Sequence, residues 1–576
     1  MTIQRLLSDS RCLVKPLALL ITSLSAMSAH AMSLDTGNPD MRLDWDTTVK
    51  YTGGWRLEGR DSRLSNSLNR DEGEYSVNRH DMIMNRADVF TQIDMIYKQN
   101  NGFRISAAGW YDFGFDRDVN QNPALADSSS SYANNRYSSE VQRFYKGPSG
   151  EILDAFVFGS FNVGDTPVNA RLGQHTVYWG TSIYDHFSNG IAYGQAPVDA
   201  RKSAMVPGST AQEVFLPVAQ LSMQSQITPE ISVAAQYMLD WKPSRFSEGG
   251  TFFSGTDYLF NGPDHWDTGT VVRTHLDDLE PDQKHGSFGL SATWMPEVLN
   301  GELTAYYRHF DDPTPWLAPQ VIGNTYRLVY PEDIDLYGLS LNKSIGGGNS
   351  LGVDFSLGKD GPLKALGVDP GDNEGPRGDS LHLVVNMVGA MPNLPVYSSG
   401  TWTAELSAAH LLKVTKHKAL YRGEGYGCDA LGLDEDDGCS TRNFVGATLQ
   451  FSPQWSQILP GVNMTMPVTG RYGIHGNGAT SANGQEDAYS ISLGLSADIY
   501  QRVTAAVAYV TAYAPINTVI AGRATSGRAR KSQNMVLEML LADMPDAGYK
   551  WNDSPLTPAL SPEGRGSVGQ HGELSS

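Results

Sequence analysis

The stretch DWDTTVKYTGGWRLEG, residues 44–59, separates by parity into two unlike faces. Its odd positions are Trp45, Thr47, Val49, Tyr51, Gly53, Trp55 and Leu57. Its even positions are Asp46, Thr48, Lys50, Thr52, Gly54, Arg56 and Glu58, which carry both signs of charge. A period of two belongs to a β-strand. A strand this long is unusual in a small soluble sheet. One of its faces needs an apolar environment and the other a polar one.

The same pattern returns along the chain. Val89, Thr91, Ile93, Met95 and Tyr97 share a face. Phe103, Ile105, Ala107, Gly109, Tyr111, Phe113 and Phe115 share another, with Arg104, Ser106 and Asp112 opposite. Further strands are predicted at 152–162 and 168–179, the second carrying Arg171 and His175, and at 219–227 and 231–241, the last with Gln236 and Asp240 on its polar face. Continued to a final strand near 530–541, the reading gives about 18 strands (16–18) of about 10 residues, the length that crosses a bilayer at a tilt.

The connections alternate too. Short turns are predicted near 99–102, 163–167, 228–230, 296–300, 345–348 and 500–502, with somewhat longer ones near 391–400 and 453–461. Between them fall long connections at 59–85, 116–150, 180–217, 242–284, 311–333, 359–379, 413–440, 475–486 and 514–529. This alternation has no reason in a soluble sandwich. It is the mark of an all-β, transmembrane antiparallel β-barrel with short periplasmic turns and long extracellular loops. A closed barrel pairs every backbone group without an edge, as lipid demands. Trp45, Tyr51 and Trp55 then face lipid. Asp46, Lys50, Arg56, Arg104, Asp112, Arg171, His175, Gln236 and Asp240 line the lumen. Trp110, Tyr111, Trp179, Tyr237, Trp241, Trp294 and Tyr307 suit interfacial girdles.

The beginning of the chain agrees with export. Arg5, Arg11 and Lys15 precede the short apolar run PLALLITSLSAMSA, and Ala29-His30-Ala31 fits the small-x-small rule, so residues 1–31 read as a signal peptide cleaved after Ala31. No later segment is apolar enough for a transmembrane helix; 381–396 is broken by Pro392 and Pro395. Of three cysteines Cys12 lies in the signal, and Cys428 with Cys439 is expected to form a disulfide in an oxidising compartment. A net charge of −20 argues against nucleic acid.

The connection 180–217 is unlike a free outer loop. It mixes Ile183, Tyr184, Phe187, Ile191, Tyr193, Val198, Met205 and Val206 with Asp199, Arg201 and Lys202. Long loops without structure of their own are often functional. A barrel of this width is not filled by wall side chains alone. The loop is therefore expected to fold into the lumen and narrow it, with Asp199, Arg201 and Lys202 setting selectivity.

Other motifs are weaker. GNSLG, residues 348–352, matches a hydrolase nucleophile elbow, but that chemistry needs a strand-to-helix turn, and here the glycines read as a hairpin. No H-E-x-x-H, phosphate-binding loop or cofactor motif occurs. The acidic run CDALGLDEDDGC offers Asp434, Asp436 and Asp437 as weak cation ligands, and lacks the EF-hand spacing. A solvated loop stapled by the disulfide is the simpler reading.

Several stretches together carry a resemblance: DTGNPDMRLDWDTTVKY, LDAFVFGSF, ARLGQHTVYWG, NGIAYGQAPVDARKSAMVPGS, FLPVAQLS and DIDLYGLSLNKSIGGGNSLGVDFSLGKDGPL. They resemble the proteobacterial family called domain of unknown function 1302, over nearly the whole chain to about Tyr513. That resemblance implies an outer-membrane barrel in a Gram-negative cell, in contact with lipid and lipopolysaccharide and built by the barrel assembly machinery. It also implies a neighbourhood of a periplasmic protein similar to lipoprotein-sorting proteins and of exporters of the resistance-nodulation-division type. The chain departs from such barrels at its end. NMVLEMLLADMPDAGYKW loses alternation at Glu538, and the Pro/Ser/Gly-rich residues 542–576 are expected to be unstructured, as after a frameshift.

The expected function is a porin-like channel for bulky or hydrophobic small molecules, working with such a periplasmic partner and exporter. The alternative is a structural or secretion-platform barrel without conductance. An outer-membrane esterase is less favoured, because no Ser–His–carboxylate set is evident.

Overall fold

The computed structural model describes residues 32–542, apart from 126–128, 185–189, 206–210, 481–483 and 521–522. The expected signal peptide and the tail beyond 542 lie outside the described residues. Alternating sequence becomes long strands. In order they are β1 (Met41–Arg56), β2 (Met82–Tyr97), β3 (Asn101–Asp112), β4 (Ser149–Val163), β5 (Thr166–His175), β6 (Val218–Thr228), β7 (Ile231–Met238), β8 (Phe288–Trp294) and β9 (Gly301–Phe310). There follow β10 (Ile334–Gly346), β11 (Asn349–Pro362), β12 (Arg377–Met391), β13 (Ser399–Lys416) and β14 (Asn443–Leu459). β15 comes in two pieces, Val462–Thr465 and Val468–His475, parted at Pro467, which has no N–H to give the ladder. β16 (Tyr489–Ile499), β17 (Val503–Ile520) and β18 (Arg523–Ala542) complete the sheet.

Each strand pairs antiparallel with the next in sequence. β18 pairs with β17 and also with β1, Thr48 opposite Ala542 and Arg56 opposite Asn534, which brings the order of pairing back to its first strand. Where β18 stops, the short strand Met32–Leu34 takes over the edge of β1, with Met32 opposite Trp45. A smaller sheet of four short strands, within residues 265–327, packs among the long connections.

The parity of the sequence is the parity of the sheet. Leu290 and Leu339 are each 51% exposed and Leu449 50%, whereas Lys50 is 3% exposed, Arg56 1% and Arg308 0%. Register carries one face across neighbouring strands: outward Leu339 lies opposite Phe355 and Phe355 opposite Leu383, while inward Ser340 lies opposite Asp354. Charge is therefore collected inside and apolar area outside, the reverse of a soluble protein.

Short turns collect at one end of the sheet and long connections at the other. One long connection is missing. Residues 514–529, expected as a loop, extend β17 and open β18, with Ile520 opposite Arg523. Where alternation is lost in the sequence, Glu538 to Ala542 pair with Thr52 to Thr48. Three of the expected girdle aromatics are corrected. Trp110 follows the inward parity of β3 and is buried, donating its indole N–H to the Arg143 carbonyl at 3.0 Å. Trp179 and Trp241 lie in connections and are buried as well. Tyr237 and Trp294 are exposed.

The long connections hold their own apolar core. Tyr132, Tyr137, Val141, Phe144 and Tyr145 pack on Met84, Trp110 and Leu153 of the wall, with Met205. Cys428 and Cys439 form a disulfide inside the connection after β13.

Candidate functional site

The connection 176–217 crosses the inner face of the sheet. The backbone N–H groups of Thr181 (2.7 Å) and Ser182 (3.2 Å) donate to the Asp354 carboxylate on β11, with the Thr181 hydroxyl at 2.8 Å. Those of Ile183 (2.6 Å) and Tyr184 (2.9 Å) donate to Glu405 on β13. Asn386 on β12 donates to the Thr181 carbonyl at 2.7 Å, and the Tyr184 hydroxyl meets Gln450 on β14. Charged acceptors make the stronger class of hydrogen bond, so two buried carboxylates hold four consecutive amides.

On its return the segment is held by β9 and β7. Arg308 donates to the carbonyl of Ile191 at 3.0 Å and to that of Tyr193. Gln195 donates to Gln236 at 3.1 Å. Inward glycines admit the segment to the wall. A Cβ at Gly289 would lie 2.6 Å from the Trp179 ring, and one at Gly338 2.8 Å from Ile191, distances no side chain tolerates.

The short helix Ala200–Met205 then enters a charged knot. Arg201 pairs with Asp199 and with Glu248, both at 3.2 Å. Arg245 reaches Glu151 at 2.8 Å and Asp199 at 3.4 Å. Lys202 and Lys50 share Glu213 at 3.4 and 3.3 Å. Three guanidinium groups, those of Arg201, Arg245 and Arg143, surround the Phe144 ring at 3.9, 4.7 and 4.8 Å from its centre. Arg86 pairs with Asp88 at 2.9 Å and donates to the Phe144 carbonyl at 2.9 Å. Burial alone would raise the Asp199 carboxyl, but Arg201 and Arg245 outweigh it and hold it below the ordinary value. A small cavity lined by Arg86, Trp110, Phe144, Arg201 and Lys202 lies at the centre of the knot. Breaking one partner of a buried pair costs about 3–5 kcal/mol, so the knot is rigid.

The remaining residues singled out in the sequence are distributed around this frame. Asp46 is half-buried on the inner face, and Arg104 pairs with Asp94 at 2.6 Å. Arg56 is buried against Glu74 at 2.5 Å, closing the first long connection onto the wall. Arg171 lies 5.6 Å from the Phe156 ring. His175 is held by the Ser222 hydroxyl at 2.7 Å and the Gly173 carbonyl at 2.9 Å. Asp112, at the end of β3, accepts the N–H groups of Asn85 (3.0 Å), Gly114 (2.7 Å) and Phe115 (2.9 Å), so it fastens a strand end. Asp240 lies beyond the end of β7, where its carboxylate accepts the Trp241 N–H at 2.9 Å.

Asp434, Asp436 and Asp437 close a turn: Asp434 accepts the N–H groups of Asp436 (3.0 Å) and Asp437 (3.3 Å), and Asp437 that of Asp434 (3.3 Å). Among the described residues, the side chains that do converge are Asp369, Asp372 and His417, with His417 bridging the two carboxylates at 3.7 and 2.9 Å. Ser350 lies in β11 opposite Ser344, just after Gly346, Gly347 and Gly348, whose φ values of +84°, +63° and +76° make the hairpin turn. It has no strand-to-helix elbow.

Arg308, Asp354 and Glu405, which position the crossing segment, were not singled out from the sequence. The available signal was their polar type on the inward parity of otherwise apolar strands, together with Gly338 and Gly352 on that same parity.

No curated protein matches the chain in sequence. Among solved structures it is similar to the outer-membrane channel DcaP of Acinetobacter baumannii (10% identity, 87% of this chain and 97% of that chain covered, TM-score 0.36). It is similar also to OpdK of Pseudomonas aeruginosa, solved with vanillate (9% identity, 89% and 99% covered, TM-score 0.42). OccD3 of the same organism is a third (13% identity, 89% and 93% covered, TM-score 0.39). Residues 13–515 match the family described as "protein of unknown function (DUF1302)", and the chain belongs to that family.

Proposed function

We propose that the protein is a porin-like channel of the Gram-negative outer membrane that passes bulky or apolar small molecules. The observation that carries this reading is the inverted sheet. Leucines stand half exposed outside, while Lys50, Arg86, Arg308, Asp354 and Glu405 are buried inside. Lipid satisfies the first face and a polar lumen the second. The short-turn end is then periplasmic and the long-connection end extracellular. The crossing segment 180–217 sets the width of the path, and Asp199, Arg201 and Lys202 stand at its narrowest level. Their charges balance against Glu213 and Glu248, which suits a solute chosen by shape and local contacts more than by net charge. The proposed partners, a periplasmic lipoprotein-sorting-like protein and a resistance-nodulation-division exporter, follow from the family resemblance alone.

Two measurements test the channel. The protein should fractionate with outer membranes and migrate faster on a denaturing gel when unboiled. In planar bilayers, deletion of residues 183–200 should raise single-channel conductance several-fold. Soluble protein with no gel shift would end the membrane reading, and unchanged conductance would end the role given to the segment.

A further inference from the structure

We propose that Asp369, Asp372 and His417 form a binding site for one divalent transition-metal ion, of the zinc class, at the long-connection end of the protein. The site does not rest on the channel reading.

Two separate connections supply it. Asp369 and Asp372 belong to the connection between β11 and β12, and His417 follows the last residue of β13. One imidazole nitrogen and one oxygen of each carboxylate lie within 4.8 Å of one another. The Nε2 atom of His417 is 2.9 Å from Asp372 Oδ2, and its Nδ1 atom is 3.7 Å from Asp369 Oδ2. The second distance is too long for a hydrogen bond. His417 thus holds one carboxylate by a hydrogen bond, and the facing oxygen of the other has no donor among the described residues.

The backbone sets the ligands in place before any ion arrives. The Asp369 N–H donates to the Glu374 carbonyl at 2.9 Å and closes the turn between them. The side chain of Gln320, fully buried, donates to the Asp369 carbonyl and to Asn373 Oδ1, each at 3.0 Å. Within the turn each aspartate commits one oxygen to an amide. Asp369 Oδ1 accepts the Gly371 N–H at 2.7 Å, and Asp372 Oδ1 accepts the Glu374 N–H at 3.2 Å. The other oxygen of each is turned to His417. Hydrogen bonds of this kind are what orient a ligating carboxylate.

Charge balance points the same way. Arg377 and Lys416 stand opposite each other in the register of β12 and β13, and both pair with Glu374, at 3.1 and 3.0 Å. Among the described residues, neither Asp369 nor Asp372 has a lysine or arginine partner. One imidazole carries at most a single charge against their two, and a divalent ion supplies the balance.

The donor set selects the ion. Calcium and magnesium take oxygen ligands. An imidazole beside carboxylates suits zinc, and three protein ligands leave a fourth position to water. Zinc ligands at about 2.0–2.2 Å from the ion stand roughly 3.3–3.5 Å apart, so the three donors draw together by about 1 Å. The side chains of Asp369 and Asp372 are 43% and 55% exposed and that of His417 19%, which gives the ion a path and the carboxylates room to turn. Seated there, the ion ties the connection after β11 to the end of β13.

The test uses the full chain without a polyhistidine tag, folded in detergent and stripped with a chelator, with zinc chloride alone as probe at pH 7.5. Binding is read by calorimetry, and its place by hydrogen exchange. Zn²⁺ should bind with one tight equivalent, at least a hundred-fold more tightly than Mg²⁺ or Ca²⁺. It should slow exchange at the Gly371 and Glu374 amides at least five-fold and leave those of Asp436 and Asp437 unchanged. H417N is the first variant, since asparagine tolerates the left-handed backbone of His417, φ +46° and ψ +47°. It and D369N/D372N should each weaken Zn²⁺ at least thirty-fold while keeping the gel shift of a folded barrel, and D434N/D436N/D437N should keep the parent affinity. No tight equivalent in the wild type, full affinity in folded H417N, or protection confined to other amides overturns the site. Ca²⁺ bound as tightly as Zn²⁺ overturns the assigned class. Neither readout depends on conductance, so failure of the site leaves the channel reading as it was, and absence of conductance leaves the site standing.

Discussion

Asp354 and Glu405 offer the sharpest test of how the crossing segment is held. Together they accept four backbone amides and the Thr181 hydroxyl, at 2.6 to 3.2 Å, and both carboxylates are buried. A hydrogen bond to a charged acceptor is worth about 1.5–3 kcal/mol net. The freed amides recover part of this from water once the segment lifts, while Asn386 and Gln450 keep their own contacts. D354A/E405A should therefore lower the local opening free energy by about 4 kcal/mol, roughly a thousand-fold in the opening equilibrium. The assay is thiol labelling. Ser182 is 3% exposed, and Cys428 and Cys439 are already bonded to each other, so S182C supplies a reporter thiol. Its rate of reaction with a maleimide should rise at least ten-fold in D354A/E405A, with the unboiled gel shift unchanged. A rate within a factor of two of the parent would refute the claim that these carboxylates fasten the segment.

Three further outcomes follow from other parts of the molecule. L339R places a charge in the middle of the outward face; if that face meets lipid it should cost about 2–4 kcal/mol and reduce the heat-modifiable fraction, whereas a water-facing position would tolerate it. Burial pushes Asp71 up to about 6 and raises Glu72 and Asp257 as well. Acids raised in the fold stabilise it fully below about pH 4 and lose that contribution as pH climbs through the folded values. Amides held by these carboxylates, those of Asn122, Ser131 and Gly73, should therefore exchange faster at pH 8 than at pH 5 after correction for intrinsic rates, and E72Q/D257N should remove the difference at Ser131 and Gly73. Reducing the Cys428–Cys439 bond, which spans 11 residues, should weaken its connection by about 3 kcal/mol, visible as faster proteolysis there with no change in the barrel's gel shift.

The strands were legible because a sheet with two opposed environments writes its period into every residue. Parity alone placed Lys50, Arg56 and Gln236 inside and Trp45 and Tyr237 outside. It failed where tertiary contacts decide. Trp110 looks like an interfacial aromatic until Phe144 and Arg143 are packed over it, and Asp112 looks like a lumen group until a bend in the chain brings three amides to it. The extension of β17 and β18 through 514–529 was hidden because the polar residues there read as a loop, while the backbone pairs them regardless. The least legible feature was the set of partners of the crossing segment, since Thr181 meets Asp354 and Tyr184 meets Gln450 across 173 and 266 positions of sequence.

Those separations have a kinetic meaning. The crossing segment leaves β5 early in the chain, yet the groups that receive it belong to β11, β12, β13 and β14. Contacts of such long range must wait for loop closure to be met by the intervening wall. The segment therefore settles only after the far side of the barrel has been laid down, and until then its apolar side chains and the carboxylates awaiting it are both unsatisfied. Fastening of the stretch Thr181 to Tyr184 is thus a late event in assembly, and a chain arrested before β11 would lack both carboxylates that receive it.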